Sequence, residues 1–274
     1  MRIGAFQFDV GLDEVAANRR AVEEGLREAA AQGYGLVVLP EMWPTSFVTN
    51  TGPQLERAVA DSLAAVDWLV ALSGELSMVV CGTAFCRPDP AAAPTNRLHI
   101  CDQGRLALSY DKVHLFSPTA EHETFLAGRQ APGTAETSAG RISGVICYDL
   151  RFGDITRVPT GDGVQIMVCP AQWPSPRAAH WRALAIGRAV ENQCFVVACN
   201  RSGASLIGSQ KQRLEFPGNS IVVDPHGTVL AEGEGSSGLL GAEVDLAVVA
   251  ELRARIPIAA DRRPGLYGQW GSDS

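Results

Sequence analysis

Three reactive side chains stand directly after apolar, strand-like runs: Glu41 after GLVVLP, Lys112 after LALSYD and Cys147 after SGVI. A side chain at the end of a buried strand is aimed by a rigid scaffold. A cysteine of ordinary pKa, about 8.5, is only a few per cent thiolate at neutral pH, so it needs a base for its proton or a cation beside the anion. Glu41 offers the base. Attack on an amide carbonyl creates an oxyanion, which the Lys112 ammonium and the backbone N–H of Tyr148 can stabilise together. The protonated Glu41 can then give its proton to departing ammonia. Thiol-dependent amide hydrolysis is the chemistry these three residue types compose.

Taken singly, each has an ordinary explanation. A glutamate after proline is commonly a solvated loop carboxylate, a strand cysteine a small core hydrophobe, and Lys112 a surface lysine paired with Asp111. Spacing does not link them, since 71 residues separate Glu41 from Lys112 and 35 separate Lys112 from Cys147. Cys147 could instead pair with a histidine, and nothing in the spacing chooses among His114, His122 and His180. Cys81/Cys86 and Cys194/Cys199 could be imagined around a metal, but both pairs lie along buried strand runs and lack the turn-forming CxxC spacing of structural zinc sites, so no metal is expected. Neither a phosphate loop nor a GxGxxG after a strand is present, and no cofactor is expected.

The elements that must position these residues can be read from periodicity. RIGAFQF reads as a strand, followed by a helix capped by Asp13 with Val15, Val22, Leu26 and Ala29 on one face until Gly33. GLVVLPE is a buried strand stopped at Pro40. A second helix fits 54–73, with Leu55, Val59, Leu63, Val66 and Val70 recurring at spacings of four and three. SMVVCGTAF, SGVICY, QIMVCPA and CFVVACN read as further strands, with a helix over 178–192 before the last. Hairpins are expected in RLHICDQGRLALSY and SIVVDPHGTVLAE, and the Gly-rich EGEGSSG as a loop before a final strand, LLGAEVD. Helices alternating with strands beside hairpins predict a mixed sheet; pattern alone suggests three layers.

At 274 residues, with 46% hydrophobic and 19% charged residues, the chain has the balance of one globular α/β domain. A net charge of −7 disfavours nonspecific binding to nucleic acid or to anionic membrane. No apolar run approaches the ~18 to 20 residues of a membrane-spanning helix, and the first residues are too polar for a signal peptide. Seven cysteines, an odd number set mostly in apolar runs, suit free buried thiols in a reducing cytoplasm.

The segments VVLPEMW, YDKVHLF and GVICYDLRF, in that order, resemble those of the nitrilase or carbon–nitrogen hydrolase superfamily, a likeness running from residue 3 to about 267. Asn18, PAQWPSPRAAHWRAL (170–184), GRAVENQCFVVACNRSG (187–203) and GNSIVVDPHG (218–227) fit as well. The resemblance implies that Glu41, Lys112 and Cys147 are catalytic. It adds Glu121, in AEHETFLAG, as a supporting catalytic carboxylate that orients Lys112 and the substrate amide, Glu123 being the weaker match. Arg151, Arg188 and Glu191 are expected to be structural. It also implies a four-layer α-β-β-α sandwich of two mixed sheets, in one domain with a core over about 3–250. The remaining extension, 251–274, containing RIPIAADRRPGLY, would lie at a homodimer interface.

CPAQWP, the nearby HW and the Glu121–His122 pair look most like the ω-amidase group, which releases ammonia from side-chain amides of small 2-oxo acids. An N-carbamoyl amide hydrolase or a nitrilase is the alternative, and a non-catalytic metabolite-binding relative would be expected to lack Glu41, Lys112 or Cys147. Tyr148, Trp173, Phe47 and Phe116 are expected to bind substrate. Met42 and Trp43 flank the same strand ends and are candidates for the pocket wall, a place in the plain core being the competing reading.

Overall fold

The computed structural model describes residues 1–48, 52–207 and 212–270. The strands are β1 (Arg2–Gln7), β2 (Tyr34–Val38), β3 (Val79–Cys86), β4 (Thr95–Asp102), β5 (Arg105–Asp111), β6 (Ala135–Thr137) and β7 (Gly140–Gly144). They continue with β8 (Ile166–Ala171), β9 (Phe195–Asn200), β10 (Ser202–Ile207), β11 (Gln212–Pro217), β12 (Ile221–Val223), β13 (Val229–Glu232) and β14 (Gly238–Glu243). The helices are α1 (Val15–Ala31), α2 (Pro53–Glu75), α3 (Gly153–Arg157), α4 (Ala178–Asn192), α5 (Ala247–Arg255), α6 (Ile258–Asp261) and α7 (Pro264–Trp270).

Alternation along the strands explains why they pack in two directions. In β1 and β2, Ile3, Ala5, Leu36 and Val38 join a core with Ile166, Val168 and Val197, whereas Phe6 and Val37 join a separate one with Val22, Leu26 and Leu69 of the helices. Successive side chains point to opposite faces, so a strand with both faces covered reads as an unbroken apolar run. One mixed sheet has the order β14-β1-β2-β3-β4-β5 and the other β13-β12-β9-β8-β7-β6. They meet face to face, β1 against β9 and β12, β3 against β8. Helices α1 and α2 cover the outside of the first sheet and α4 that of the second, giving four layers.

This is the sandwich implied by the resemblance, and it corrects the three-layer reading from pattern alone. The 178–192 helix and both expected hairpins are present. Other details differ. Asp13 does not cap α1: it sits at φ 61° and its carboxylate accepts from Gln54 Nε2 (2.9 Å), while Glu14 occupies the cap position. Leu63 is exposed, because the buried face of α2 runs through Leu55, Ala58, Ser62, Ala65 and Leu69. The hairpin β10–β11 has no counterpart in the sequence reading. The C-terminal segment forms α6 and α7; residues 271–274 lie outside the described residues.

Candidate active site

Glu41, Lys112, Glu121 and Cys147 converge. Glu41 follows β2, where its backbone N–H reaches Ala171 O at the end of β8 (3.4 Å), tying the two sheets together at this edge. Its carboxylate accepts from Asn96 Nδ2 (2.8 Å), the Gln172 backbone N–H (2.9 Å) and Lys112 Nζ (2.8 Å). Gln172 Nε2 donates in turn to Glu41 O (2.8 Å). Lys112 directly follows β5 and remains in its ladder, Lys112 N–H donating to Asn96 O (3.0 Å). Asp111 does not pair with it; that carboxylate is held by Arg97 (2.7 Å).

Glu121 lies in a short 3-10 turn, buried, whereas Glu123 of the same turn is exposed. Both Glu121 oxygens accept from Lys112 Nζ at 2.9 Å, and one also accepts the Phe116 N–H (2.6 Å). The loop carrying it folds back onto Lys112, where Gly128 N–H donates to Lys112 O (2.7 Å). A Cβ at Gly128 would stand 2.1 Å from Asp111 O, so only glycine allows that approach.

Cys147 is not the end of a strand. β7 stops at Gly144, and Cys147 opens a 3-10 helix in the left-handed region, φ 45°. That conformation costs a non-glycine residue about 1–2 kcal/mol, and Asp149 holds it. The buried Asp149 carboxylate accepts from Ile146 N–H (3.2 Å), His114 N–H (2.9 Å), His114 Nδ1 (2.8 Å) and Tyr110 OH (2.8 Å). Since Tyr110 and His114 flank Lys112, one carboxylate fixes the cysteine turn relative to the lysine. The Tyr148 N–H is in the first turn of this helix, where N–H groups lack an intrahelical acceptor, and it directly follows Cys147.

The cluster is strongly charged and dry, with Glu41, Lys112 and Glu121 all at most 3% exposed. Burial, and then the charge of the adjacent Glu41, push the Cys147 pKa well up, against the opposing pull of Lys112. The resting sulfur is therefore a thiol. Burial alone would lower the Lys112 pKa, but Glu121 and Glu41 outweigh it and raise it, so the ammonium persists. Burial likewise raises Glu121, in spite of Lys112.

These groups line one cavity with Phe47, Phe116, Tyr148 and Trp173, the four residues expected at substrate. Ile207, Leu214 and Phe216 of the β10–β11 ribbon add an apolar wall. Met42 and Trp43 do not line it: each packs in a core cluster. Arg188 is structural as expected, bonding Leu150 O and Glu191. Arg151 is not only structural, for it lines the cavity together with Arg177, which sequence reasoning missed. No histidine lines it among the described residues, and His114 is engaged with Asp149.

A nucleophile-capable thiol, an acid–base carboxylate and a buried ammonium at the edge of a four-layer sandwich define a thiol-type hydrolase site. The carbon-nitrogen hydrolase family profile matches residues 2–254, and the chain belongs to that family, as an enzyme that hydrolyses carbon–nitrogen bonds. It is 36% identical over 268 residues to a 2-oxoglutaramate amidase of Bacillus subtilis (strain 168), covering 97% of this chain and 98% of that one. It is 34% identical to the protein named Omega-amidase YafV of Yersinia enterocolitica, covering 82% and 83%. The crystal structure of a carbon-nitrogen hydrolase from Helicobacter pylori G27 has the same fold, with a TM-score of 0.90, 22% identity and coverage of 99% and 98%.

Proposed function

We propose that the protein is an ω-amidase that hydrolyses the primary amide of a small 2-oxo acid through a thioester on Cys147. The observation that carries this is the shared cavity in which Lys112 bridges Glu41 and Glu121 beside the thiol. Glu41 takes the thiol proton as sulfur bonds to the amide carbon, and the carbonyl oxygen becomes an oxyanion held by Lys112 and the Tyr148 N–H. Collapse breaks the C–N bond, and Glu41 returns the proton to the nitrogen, so ammonia leaves. Water then attacks the thioester with its proton passing to Glu41; the C–S bond breaks, the sulfur is reprotonated and the carboxylic acid departs. Glu121 holds the Lys112 ammonium in place throughout. Phe47, Phe116 and Trp173 flank the acyl chain.

The names borne by the relatives support the 2-oxo acid amide as substrate. An ammonia-release assay over ω-amides of 2-oxo acids, N-carbamoyl compounds and nitriles tests it. The ω-amides should be turned over with the highest kcat/KM. Faster hydrolysis of a carbamoyl compound or a nitrile would overturn the substrate reading. The reading extends to a single-domain cytoplasmic enzyme acting as a homodimer, with the exposed Ile256 and Tyr267 of the C-terminal segment at the interface. No helix among the described residues is long and apolar enough to cross a membrane. Light scattering on the purified protein should return twice the 29.1 kDa chain mass; a monomer mass would remove the interface assignment.

A further inference from the structure

The cavity carries two guanidinium groups that hydrolysis at Cys147 does not use. Arg151 comes from the short helix opened by Cys147, and Arg177 from the turn just before α4. Both are partly exposed, whereas Glu41, Lys112, Glu121 and Cys147 are buried, so the arginines stand toward the mouth and the other four toward the floor. Neighbouring arginines are tied to acids: Arg157 and Arg188 to Glu191, Arg182 to Glu232. Among the described residues Arg151 and Arg177 form no ion pair. Each is set against aromatic rings instead, Arg151 at 4.7 Å from the Trp173 centroid and Arg177 at 5.6 Å from that of Phe116. Arg151 also meets His180 Nδ1 (3.2 Å), and the Arg177 carbonyl accepts from Trp173 Nε1 (2.9 Å).

We propose that Arg151 and Arg177 form the subsite for the substrate's carboxylate and thereby make the enzyme selective for anionic over neutral amides. The proposal rests on the amidase reading above. A guanidinium lying on an aromatic ring is restrained in orientation and keeps N–H edges free for bidentate binding of a carboxylate. The floor offers that group no matching site, because its one ammonium, Lys112, is already bonded to Glu41 and to both oxygens of Glu121. An anionic amide is therefore oriented before any chemistry, carboxylate at the arginines and amide at Cys147. A neutral amide gains nothing from this polarity.

The test compares wild type with Arg151→Gln, Arg177→Gln and Arg177→Lys, using a 2-oxo acid ω-amide and a neutral primary amide of equal length. Binding of the corresponding 2-oxo dicarboxylate is measured by calorimetry on the same proteins. The glutamine variants should lower the anionic-to-neutral ratio of kcat/KM about 10- to 100-fold, mainly through KM, and weaken dicarboxylate binding by a similar factor. Arg177→Lys should recover part of both. A purely structural role would depress both amides alike and leave the ratio unchanged, which would overturn the subsite, as would undiminished dicarboxylate binding to both glutamine variants. Should either variant fail to fold, the other reads the same quantities. Arginine-dependent dicarboxylate binding without ammonia release from any amide would overturn the amidase reading and leave the subsite standing.

Discussion

Lys112 Nζ lies 2.9 Å from both carboxylate oxygens of Glu121 and 2.8 Å from Glu41, so one buried ammonium bridges two buried carboxylates. This bridge lets Glu41 stay close to Cys147 without an uncompensated pair of negative charges in the interior. Removing one partner of such a cluster leaves a buried charge exposed to its like neighbour. Lys112→Met should therefore lower stability by roughly 3–5 kcal/mol at pH 8. Without the ammonium the burial that already raises the Glu121 pKa is less opposed, so that carboxyl takes up a proton in the folded state and the loss should shrink towards pH 5.5. Urea unfolding at the two pH values checks this, and an equal loss at both would contradict it.

Cys147 is the one cysteine lining the cavity among the described residues, although all seven are buried and free. Rapid quenching with an amide substrate should leave an acyl adduct on Cys147, located by intact mass and peptide mapping. Lys112→Ala should slow its formation by about 100-fold or more, the usual effect of losing one oxyanion donor. An adduct on Cys169 or any other cysteine would remove the mechanism.

His99, on β4, is buried and its Nδ1 has no hydrogen-bond partner among the described residues; burial pulls its pKa down to about 4. The unfolded chain, titrating near 6.5, binds the proton first, so stability is lost as pH falls from 6.5 to 4 and is unaffected above that window. The loss should reach about 3 kcal/mol at the acid end. His99→Leu should flatten the dependence of Tm on pH between 4 and 6.5. A slope unchanged from wild type would place the acid sensitivity elsewhere.

Arg201 supports the Glu41 end of the site from behind. It is fully buried, with Nη1 donating to Gln172 Oε1 (3.1 Å) and Ser46 Oγ (3.2 Å) and Nη2 paired with Asp9. Arg201→Met should cost roughly 2–4 kcal/mol by denaturant unfolding, because buried acceptors lose their donor. As Gln172 also donates to Glu41 O, kcat should fall more than KM changes. A change confined to KM would mean that Arg201 does not act through Glu41.

Glu41 and Lys112 were legible because each follows a strand-forming run, Lys112 directly after β5 and Glu41 three residues beyond the end of β2. Cys147 was legible by type, but its left-handed turn was not: nothing in GVICYD marks the conformation that Asp149 imposes from three long-range bonds. The second sheet was hidden since an unbroken run such as IMVCPA reads alike in one sheet or between two. The β10–β11 ribbon escaped notice because SGASLI and QRLEFP alternate weakly, their outer residues facing solvent. Arg151 and Arg177 carry no signal in spacing; aromatic rings, not acids, hold them, and those rings come from distant segments.

The apolar wall of Ile207, Leu214 and Phe216 belongs to that ribbon, which forms a two-stranded sheet of its own. The groups that break the bond and this part of the apolar wall thus stand on different elements of the fold. Substitutions in the ribbon can retune which substrates fit while Glu41, Lys112 and Cys147 keep their alignment, so new specificities are within reach of a few mutations on an unaltered reaction centre.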